Sequence, residues 1–178
     1  MMRPVFFYKP SFPSPRSNRD WRWWFKVWTP VVIAIAVICC ESTAAMSSEH
    51  TSSFLRPFFE RLFGPFQGRN WEIFHHALRK TGHFVGYGAV AFTFLRAWLH
   101  TLGRRGPMAL LAWRVESSIL AIFSTAIVAS CDEFHQTFVP GRTGTPVDVL
   151  LDTAGAAALC LLVWLICWSR RTPETLEL

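Results

Sequence analysis

Four apolar segments separated by polar stretches make up the hydrophobic pattern of this chain, at 23–40, 84–99, 117–131 and 147–168. A helix needs about 20 mostly apolar residues to cross a bilayer, and about 17 at the short end. The first and fourth segments reach this length. The second and third reach it only when the adjoining polar residues, His83 and Asp132, are counted as helical. The pattern predicts an all-α fold, a polytopic integral membrane bundle of about four transmembrane helices.

Composition supports a membrane protein over a soluble one. The 178 residues suffice for one compact domain, and a 51% hydrophobic content with nine Trp and sixteen Phe exceeds what a soluble domain needs. The formal net charge is +6, but the basic residues flank the apolar segments instead of forming a stripe on a polar surface. Flanking basic residues are typical of membrane proteins, so we expect the lipid bilayer as a partner and no nucleic acid.

The distribution of Lys and Arg predicts the topology. Basic residues precede the first segment, occupy the connection between the second and third, and follow the fourth. By the positive-inside rule, all three regions are cytoplasmic, including both termini. The long connection 41–81 has mixed charge and is predicted to lie outside. Residues 1–22 are predicted to be a disordered basic tail, 23–168 the transmembrane domain and 169–178 a short cytoplasmic tail.

An alternative remains for the first apolar segment. A basic region, an apolar run and then Ser42-Thr43-Ala44-Ala45 also fit a secretory signal with a small-residue cleavage site. The Trp residues clustered at the start of the segment favour a retained anchor.

Ionisable and amide side chains collect at one end of the last three segments. In that topology this end is the outer one, so we expect the side chains to meet in one pocket facing the periplasm or cell exterior. Residues four apart share a helix face, and Gly82 and Gly86 are predicted to form a small-residue ridge for close helix packing beside the pocket. Its predicted members are Lys80, His83, Tyr87, Asp132, Glu133, Gln136, Arg142, Asp148 and Asp152.

Ionisable groups at membrane depth are costly unless they pair, line a cavity or do chemistry. The carboxylates outnumber the cations in this set, which indicates acid–base chemistry, a cation site or a site for a cationic or hydroxyl-rich head group. His83, Asp132 and Glu133 are the candidate catalytic residues, and Asp132 or Glu133 could instead hold a cation. Substrate binding is assigned to Lys80, Tyr87, Gln136, Arg142, Asp148 and Asp152. The metal, the cofactor and the oligomeric state stay open.

Structural interpretations compete at several of these positions. His83 could be a helix-end residue bonded to a backbone carbonyl, Arg142 could hold the outer loop down by pairing with Asp132 or Asp148, and Asp148 could be a helix N-cap. The apolar segment 54–66 is predicted to lie on the outer membrane surface, where it could cover the pocket, or to be a loop packed on the bundle. Three residues are interpreted as solvated loop residues: Glu41, His75 and His76.

Three motifs resemble those of the VanZ-like membrane protein family: KTGHFVGY at 80–87, DEFHQTFVPGR at 132–142 and DVLLDTAG at 148–155. The resemblance extends over about residues 27–168. One departure is Asp152, where many members carry Asn. The resemblance implies a multi-pass protein of the bacterial inner membrane. It also implies a link to low-level resistance to teicoplanin, a glycopeptide that acts on lipid-linked cell-wall precursors at the outer membrane face.

Two classes of function follow. The chain could be a membrane enzyme or lipid-modifying factor that acts on an amphiphile with its lipid or glycolipid head group at the outer leaflet. It could instead be a non-catalytic binding or accessory protein whose polar network holds the bundle together. A transporter is the weaker third option, because the polar residues do not extend to the inner leaflet.

Overall fold

The computed structural model describes residue 6 and residues 20–105 and 108–168. Its helices are α1 (Trp21–Glu41), α2 (Ser48–Phe63), α3 (Gly68–Arg105), α4 (Leu110–Gln136) and α5 (Pro146–Val163), with short turns of 3-10 helix at Ala44–Met46 and of π-helix at Trp164–Trp168. No strand occurs among these residues, which confirms the all-α fold class. Most of the predicted tail 1–22, and all of 169–178, lie outside the described residues. Within that tail, α1 already begins at Trp21.

The four long helices run alternately up and down. Side-chain contacts between helix ends establish this order: Trp23 with Arg104, Ser42 with His135, Lys80 with Asp148, and Arg114 with Trp168. The start of α1 therefore lies beside the end of α3 and the end of α1 beside the end of α4. We call one end of the bundle, with the starts of α1 and α4 and the ends of α3 and α5, the tryptophan end. The opposite end is the cavity end.

Helix α3 is the central helix, packed against α1, α4 and α5. Val90, Leu95 and Leu99 on α3 are almost fully buried. The closest approach is to α5, where a Cβ built on Gly155 would lie 2.1 Å from the carbonyl oxygen of Phe84 and one on Gly88 would lie 3.4 Å from that of Gly155. Only glycine at position 155 allows this contact.

The predicted ridge of Gly82 and Gly86 is wrong. A Cβ built at either position meets no atom within 4 Å, so neither glycine supports helix packing. Gly88, two residues further along α3, makes the contact with Gly155 instead. Gly82 and Gly86 lie at the cavity end, where they line a cavity.

Three of the described helices are long and apolar enough to cross a membrane: Trp21–Glu41, Leu110–Gln136 and Pro146–Trp168. Large apolar side chains on their outer faces are exposed, among them Val32, Phe123 and Leu150. Such faces suit lipid contact, since they would be unfavourable in water. The remaining predicted span, 84–99, lies within the 38-residue α3. Because α3 is central, its apolar residues face other helices more than lipid.

The predicted outer connection is mostly helical. It contains the 3-10 turn, α2 and the first turns of α3. Helix α2 is amphipathic, with Phe54, Phe58 and Leu62 exposed along one face. It ends at Gly64, whose φ of 84° lies in the left-handed region that glycine adopts readily.

The other face of α2 packs on the start of α3, and this contact corrects the interpretation of His75 as a solvated loop residue. His75 is only 4% exposed, its ring stacks on Trp71 at a centroid distance of 5.3 Å, and its Nε2 lies 3.2 Å from Thr51 Oγ1. Trp71 also donates from Nε1 to Ser52 Oγ at 2.6 Å. The helix α2–α3 corner is therefore an ordered part of the cavity end.

Candidate functional site

The cavity end brings together the polar residues of three helices. His83 and Tyr87 come from α3, Glu133 from α4 and Asp152 from α5. The helices place them at one level because α3 and α5 enter the bundle from this end while α4 leaves it here.

The deepest group consists of His83, Glu133 and Asp152. His83 Nδ1 lies 3.4 Å from Asp152 Oδ1, and one ligand-type atom from each residue falls within 4.8 Å of the others. Asp152 is fully buried and Glu133 is 4% exposed. His83 therefore faces a carboxylate and not a backbone carbonyl.

A second group forms around Asp132. The Tyr87 hydroxyl donates to Asp132 Oδ2 at 2.9 Å, and Gln136 Nε2 donates to the same oxygen at 3.0 Å. Tyr87 is 1% exposed, so its hydroxyl depends on this acceptor. Asp132 is thereby oriented from two sides by Tyr87 and Gln136.

Lys80 and Asp148 form an ion pair between α3 and α5. Asp148 is not the N-cap of α5. That position is held by Thr145, whose Oγ1 accepts from the Asp148 backbone N–H at 3.2 Å. Asp148 instead occupies the first turn, where its charge suits the positive end of the helix dipole.

Arg142 holds the α4–α5 loop, residues 137–145, to the end of α1, as the structural interpretation expects, but through other partners. Its guanidinium donates to the backbone carbonyls of Glu41 and Thr43, not to Asp132 or Asp148. Its Nε is buried and has no hydrogen-bond partner in the described part of the chain. A guanidinium with an unused donor can still receive an anionic group.

Two glycines in the loop between α4 and α5, Gly141 and Gly144, were not identified from the sequence as site residues. Gly141 has a φ of 75°. A Cβ built on Gly144 would lie 1.9 Å from the carbonyl oxygen of Glu133, so only glycine lets the loop lie on the end of α4. This approach places the Thr145 backbone N–H 2.9 Å from Glu133 Oε2. The clustering of Pro, Gly and Thr at 140–146 was the available signal, but it indicates only a tight loop.

Two adjoining cavities open at this end and share Arg79, His83, Gln136 and Arg142 in their walls. The first, of about 270 Å³, has apolar walls from Ile38, Met46, Leu55 and Leu78 as well as Gly82 and Gly86. The second, of about 510 Å³, is lined mainly by polar and charged residues. Its cationic members are Arg56, Arg79, Lys80 and Arg142.

Arg79 is a further site residue that was not identified from the sequence. Arg79 and Arg142 line both cavities, so two guanidinium groups share this space, and burial together with the charge of Arg142 lowers the pKa of Arg79. Like charges held together in a partly buried site favour an anion between or beside them. Its position directly before Lys80 in the sequence was the signal.

The predicted site residues fall into separate groups in the structure. Cavity walls include Lys80, His83, Tyr87, Asp132, Gln136, Arg142 and Asp148. Glu133 and Asp152 lie behind this wall, in contact with it through His83. His135, which lies between Glu133 and Gln136 in the sequence, contacts α1 instead, with its Nδ1 3.2 Å from Ser42 Oγ.

Comparison with known proteins identifies the family. The VanZ/LLP1 family model matches residues 23–167, from the first turn of α1 to the end of the bundle. The match includes all the polar groups described above. No curated protein and no solved structure matches the chain. The chain belongs to the VanZ/LLP1 family, as the three motifs indicated.

Proposed function

We propose that this VanZ/LLP1 protein binds the anionic head group of a membrane amphiphile, a lipid-linked component of the cell envelope, in the two adjoining cavities. The contrast between their walls carries the proposal. The first cavity has a largely apolar wall that suits the first part of a lipid chain, with Arg79 and Arg142 at its boundary with the second. The second presents four cationic side chains beside three carboxylates, Glu49, Glu72 and Asp148. Phosphate groups bind best to such clusters of Arg and Lys.

The proposal includes the membrane topology. Three helices have the length and composition of membrane spans, and α3 lies antiparallel between them, so four crossings of the bacterial inner membrane agree with the up-and-down order. Lys and Arg around the tryptophan end, such as Lys26, Arg104 and Arg114, favour the cytoplasmic side for that end and for both termini. The cavities then open at the outer leaflet, where α2 rests its exposed Phe side chains in the lipid interface.

Each group at the site has a role in this proposal. Arg79 and Arg142 bind the phosphate. Lys80 also binds it when it leaves its ion pair with Asp148. Tyr87 and Gln136, oriented by Asp132, offer hydrogen bonds to a hydroxyl-rich part of the head group. If the bound component is also modified, His83, Asp132 and Glu133 are the groups that could move a proton.

A non-catalytic accessory role is the second candidate, and specific contacts favour it. Arg142 ties the α4–α5 loop to α1, His135 ties α4 to α1, and Lys80 ties α3 to α5. A network of this kind would stabilise the bundle without chemistry. The two candidates differ in whether conservative substitutions remove function while leaving folded protein in the membrane.

Binding is tested with a polyprenyl phosphate and the matching uncharged polyprenol, added to purified protein and detected by native mass spectrometry. We expect the phosphate to bind and Arg79→Gln to weaken it by roughly tenfold or more, since a hydrogen bond to a charged group contributes about 1.5–3 kcal/mol. Arg61→Gln is the matched control, because exposed Arg61 lies outside both cavity walls.

Cavity filling provides a second, independent variant. Gly86 lines the first cavity and a Cβ built there meets no atom within 4 Å, so Gly86→Leu directs a side chain into that space, whereas Gly86→Ala leaves most of it free. We expect the leucine variant to fold and lose the ligand. Equal binding of phosphate and alcohol, or full binding by Gly86→Leu, would reject the proposed head-group site.

The link to glycopeptide resistance is tested in cells. A deletion strain should become more sensitive to teicoplanin and should show a changed pool of lipid-linked envelope components. Glu133→Gln and His83→Ala should restore membrane-inserted protein but not the phenotype if the site is catalytic. Restoration of the phenotype by both variants would favour the accessory role.

A further inference from the structure

We propose that His83, Glu133 and Asp152 bind one divalent transition-metal cation at the inner wall of the cavities. Their ligand atoms come from α3, α4 and α5, so the cation would connect the three helices that pack most closely. The proposed metal site does not depend on the head-group proposal, because its three protein ligands would hold the cation without any amphiphile.

The buried, unpartnered atoms are the main observation. Within the described residues, His83 Nδ1, Glu133 Oε1 and both carboxylate oxygens of Asp152 are buried without a hydrogen-bond partner. Asp152 has no exposed surface at all. A carboxylate buried in this way is strongly unfavourable unless a positive charge compensates it, and a protonated His83, 3.4 Å from Asp152 Oδ1, would supply one charge for the two carboxylates. A divalent cation with two carboxylates and a neutral imidazole gives a group with no net charge.

The spacing of the atoms fits shared coordination. Two ligands held about 2.1 Å from one tetrahedral metal ion lie roughly 3.4 Å apart. His83 Nδ1 and Asp152 Oδ1 are 3.4 Å apart, a distance at which the two atoms make no hydrogen bond here. All three ligand atoms lie within 4.8 Å of one another, so small side-chain movements would complete the site.

The surroundings orient the ligands. The Thr145 backbone N–H binds Glu133 Oε2 and leaves Oε1 free to face the other two residues. Gly144 makes this bond possible, since any side chain there would collide with the end of α4. Hydrogen bonds that fix a ligating carboxylate are a regular feature of metal sites.

Neighbouring carboxylates are distinguished from the site by their partners. Asp132 accepts bonds from Tyr87 and Gln136, and Asp148 is paired with Lys80. The sequence alone indicated Asp132 or Glu133 as the cation ligand. The structure assigns Asp152 together with Glu133, which makes the departure at position 152 part of the site.

The ligand set indicates the kind of cation and its exposure. One imidazole and two carboxylates suit Zn²⁺ or Mn²⁺. Ca²⁺ and Mg²⁺ instead prefer sites made of oxygen ligands alone. Three protein ligands leave at least one coordination position, as in catalytic zinc sites. His83 lines both cavities, so that position is accessible from them.

The test measures metal content and needs no lipid. Purified full-length protein is stripped with a chelator, incubated with Zn²⁺ or Mn²⁺, desalted and analysed by inductively coupled plasma mass spectrometry. We expect about one ion per chain. Asp152→Asn and His83→Ala should each reduce the affinity at least about tenfold, since changing even outer partners of a metal alters affinity by ~10–100-fold. Asp132→Asn is the matched control and should retain the ion.

A second measurement covers variants that fold poorly. Zn²⁺ or Mn²⁺ should raise the thermal unfolding temperature of the wild-type protein, because a ligand that binds only the folded state stabilises it. The metal proposal is overturned if the stripped wild-type protein takes up neither ion, or if Asp132→Asn loses the ion while Asp152→Asn keeps it. Phosphate-lipid binding with no metal uptake would reject this site and leave the head-group proposal intact.

Discussion

The two ends of the bundle use polar side chains in different ways. At the tryptophan end, the hydroxyl groups of Thr101 and Ser117 bond to carbonyls of their own helices, four residues earlier. At the cavity end, polar side chains bond to other helices, as Tyr87 does to Asp132. Hydroxyl groups at the tryptophan end are therefore satisfied within their own helices, whereas the Tyr87 hydroxyl at the cavity end depends on how α3 and α4 are placed.

The cores of the two ends differ accordingly. Trp113 is 2% exposed and donates from Nε1 to the Leu99 carbonyl at 3.0 Å, and the Trp28 and Trp98 rings contact at 5.2 Å. The cavity end has two cavities and the buried, unpartnered atoms of His83, Glu133 and Asp152, and Trp28 Nε1 is another such atom nearer the tryptophan end. Stability therefore resides mainly in the middle and the tryptophan end, and the groups open to a ligand are at the other end.

The largest effect should come from the close contact between α3 and α5 at Phe84 and Gly155. Gly155→Val places a side chain against the Phe84 backbone, which cannot move without displacing α3 from α5. We expect a destabilisation of at least ~3 kcal/mol, at or beyond the upper range for overpacked cores. SDS-induced unfolding in mixed micelles measures it. Gly82→Ala, where a Cβ meets open space, should be neutral or slightly stabilising. A Gly155→Val protein as stable as the wild type would contradict the close helix contact.

A substitution confined to the tryptophan end comes next. Trp113→Ala removes a fully buried ring and leaves a cavity, so we expect a loss of about 3–5 kcal/mol in the same unfolding assay. Binding of the polyprenyl phosphate by the remaining folded protein should be unchanged, because Trp113 is far along α4 from the cavity end. Trp113→Phe retains most of the ring volume and should lose less. A binding defect in Trp113→Phe would show that the two ends are not independent.

Breaking the Lys80–Asp148 pair should have a smaller effect. The Lys80 side chain is 35% exposed and that of Asp148 is 12% exposed, so solvent weakens the pair. A double-mutant cycle of Lys80→Met and Asp148→Asn should give a coupling free energy of roughly 1 kcal/mol. If the cavity end is mainly structural, the coupling should be several times larger. A value comparable to the loss in Trp113→Ala would therefore remove the contrast between the ends.

The sequence was sufficient for the fold class and the set of polar residues, because both depend on local patterns. Apolar segments of bilayer length predict helices, and Lys80, His83 and Tyr87 share one helix face. It was not sufficient for the helix contacts. Gly82 and Gly86 have the spacing of a packing ridge, yet the rotation of α3 puts Gly88 against α5. Rotation depends on all the packed side chains together, and no local pattern encodes it.

The same reason explains the regrouping of the carboxylates. Asp132 and Glu133 are adjacent in the sequence and were interpreted as one acidic pair. On α4 they point in directions about 100° apart, so Asp132 meets Tyr87 while Glu133 meets the His83 group. His75 was interpreted as a solvated loop residue within the long connection 41–81, but it is buried and contacts Thr51 of α2. Only tertiary contacts reveal this burial.

The smallest expected effect concerns pH at the α2–α3 corner of the cavity end. Burial lowers the pKa of His75, and the charges of Arg79 and His76 lower it further. As pH falls through the ordinary histidine pKa of about 6.5, the unfolded corner takes up a proton that the folded corner resists, so the contact loses stability. Glu60 does not contribute in this window, since its hydrogen bond from Arg56 lowers its pKa and keeps it charged.

Hydrogen exchange of the α2 amides, corrected for the intrinsic rate, should therefore be faster at pH 5.5 than at pH 7.5. His75→Phe keeps the ring against Trp71 but cannot bind a proton, so its corrected exchange should be the same at both values. If the variant and the wild type respond alike, the pH sensitivity belongs to another group and the corner is as insensitive as the tryptophan end.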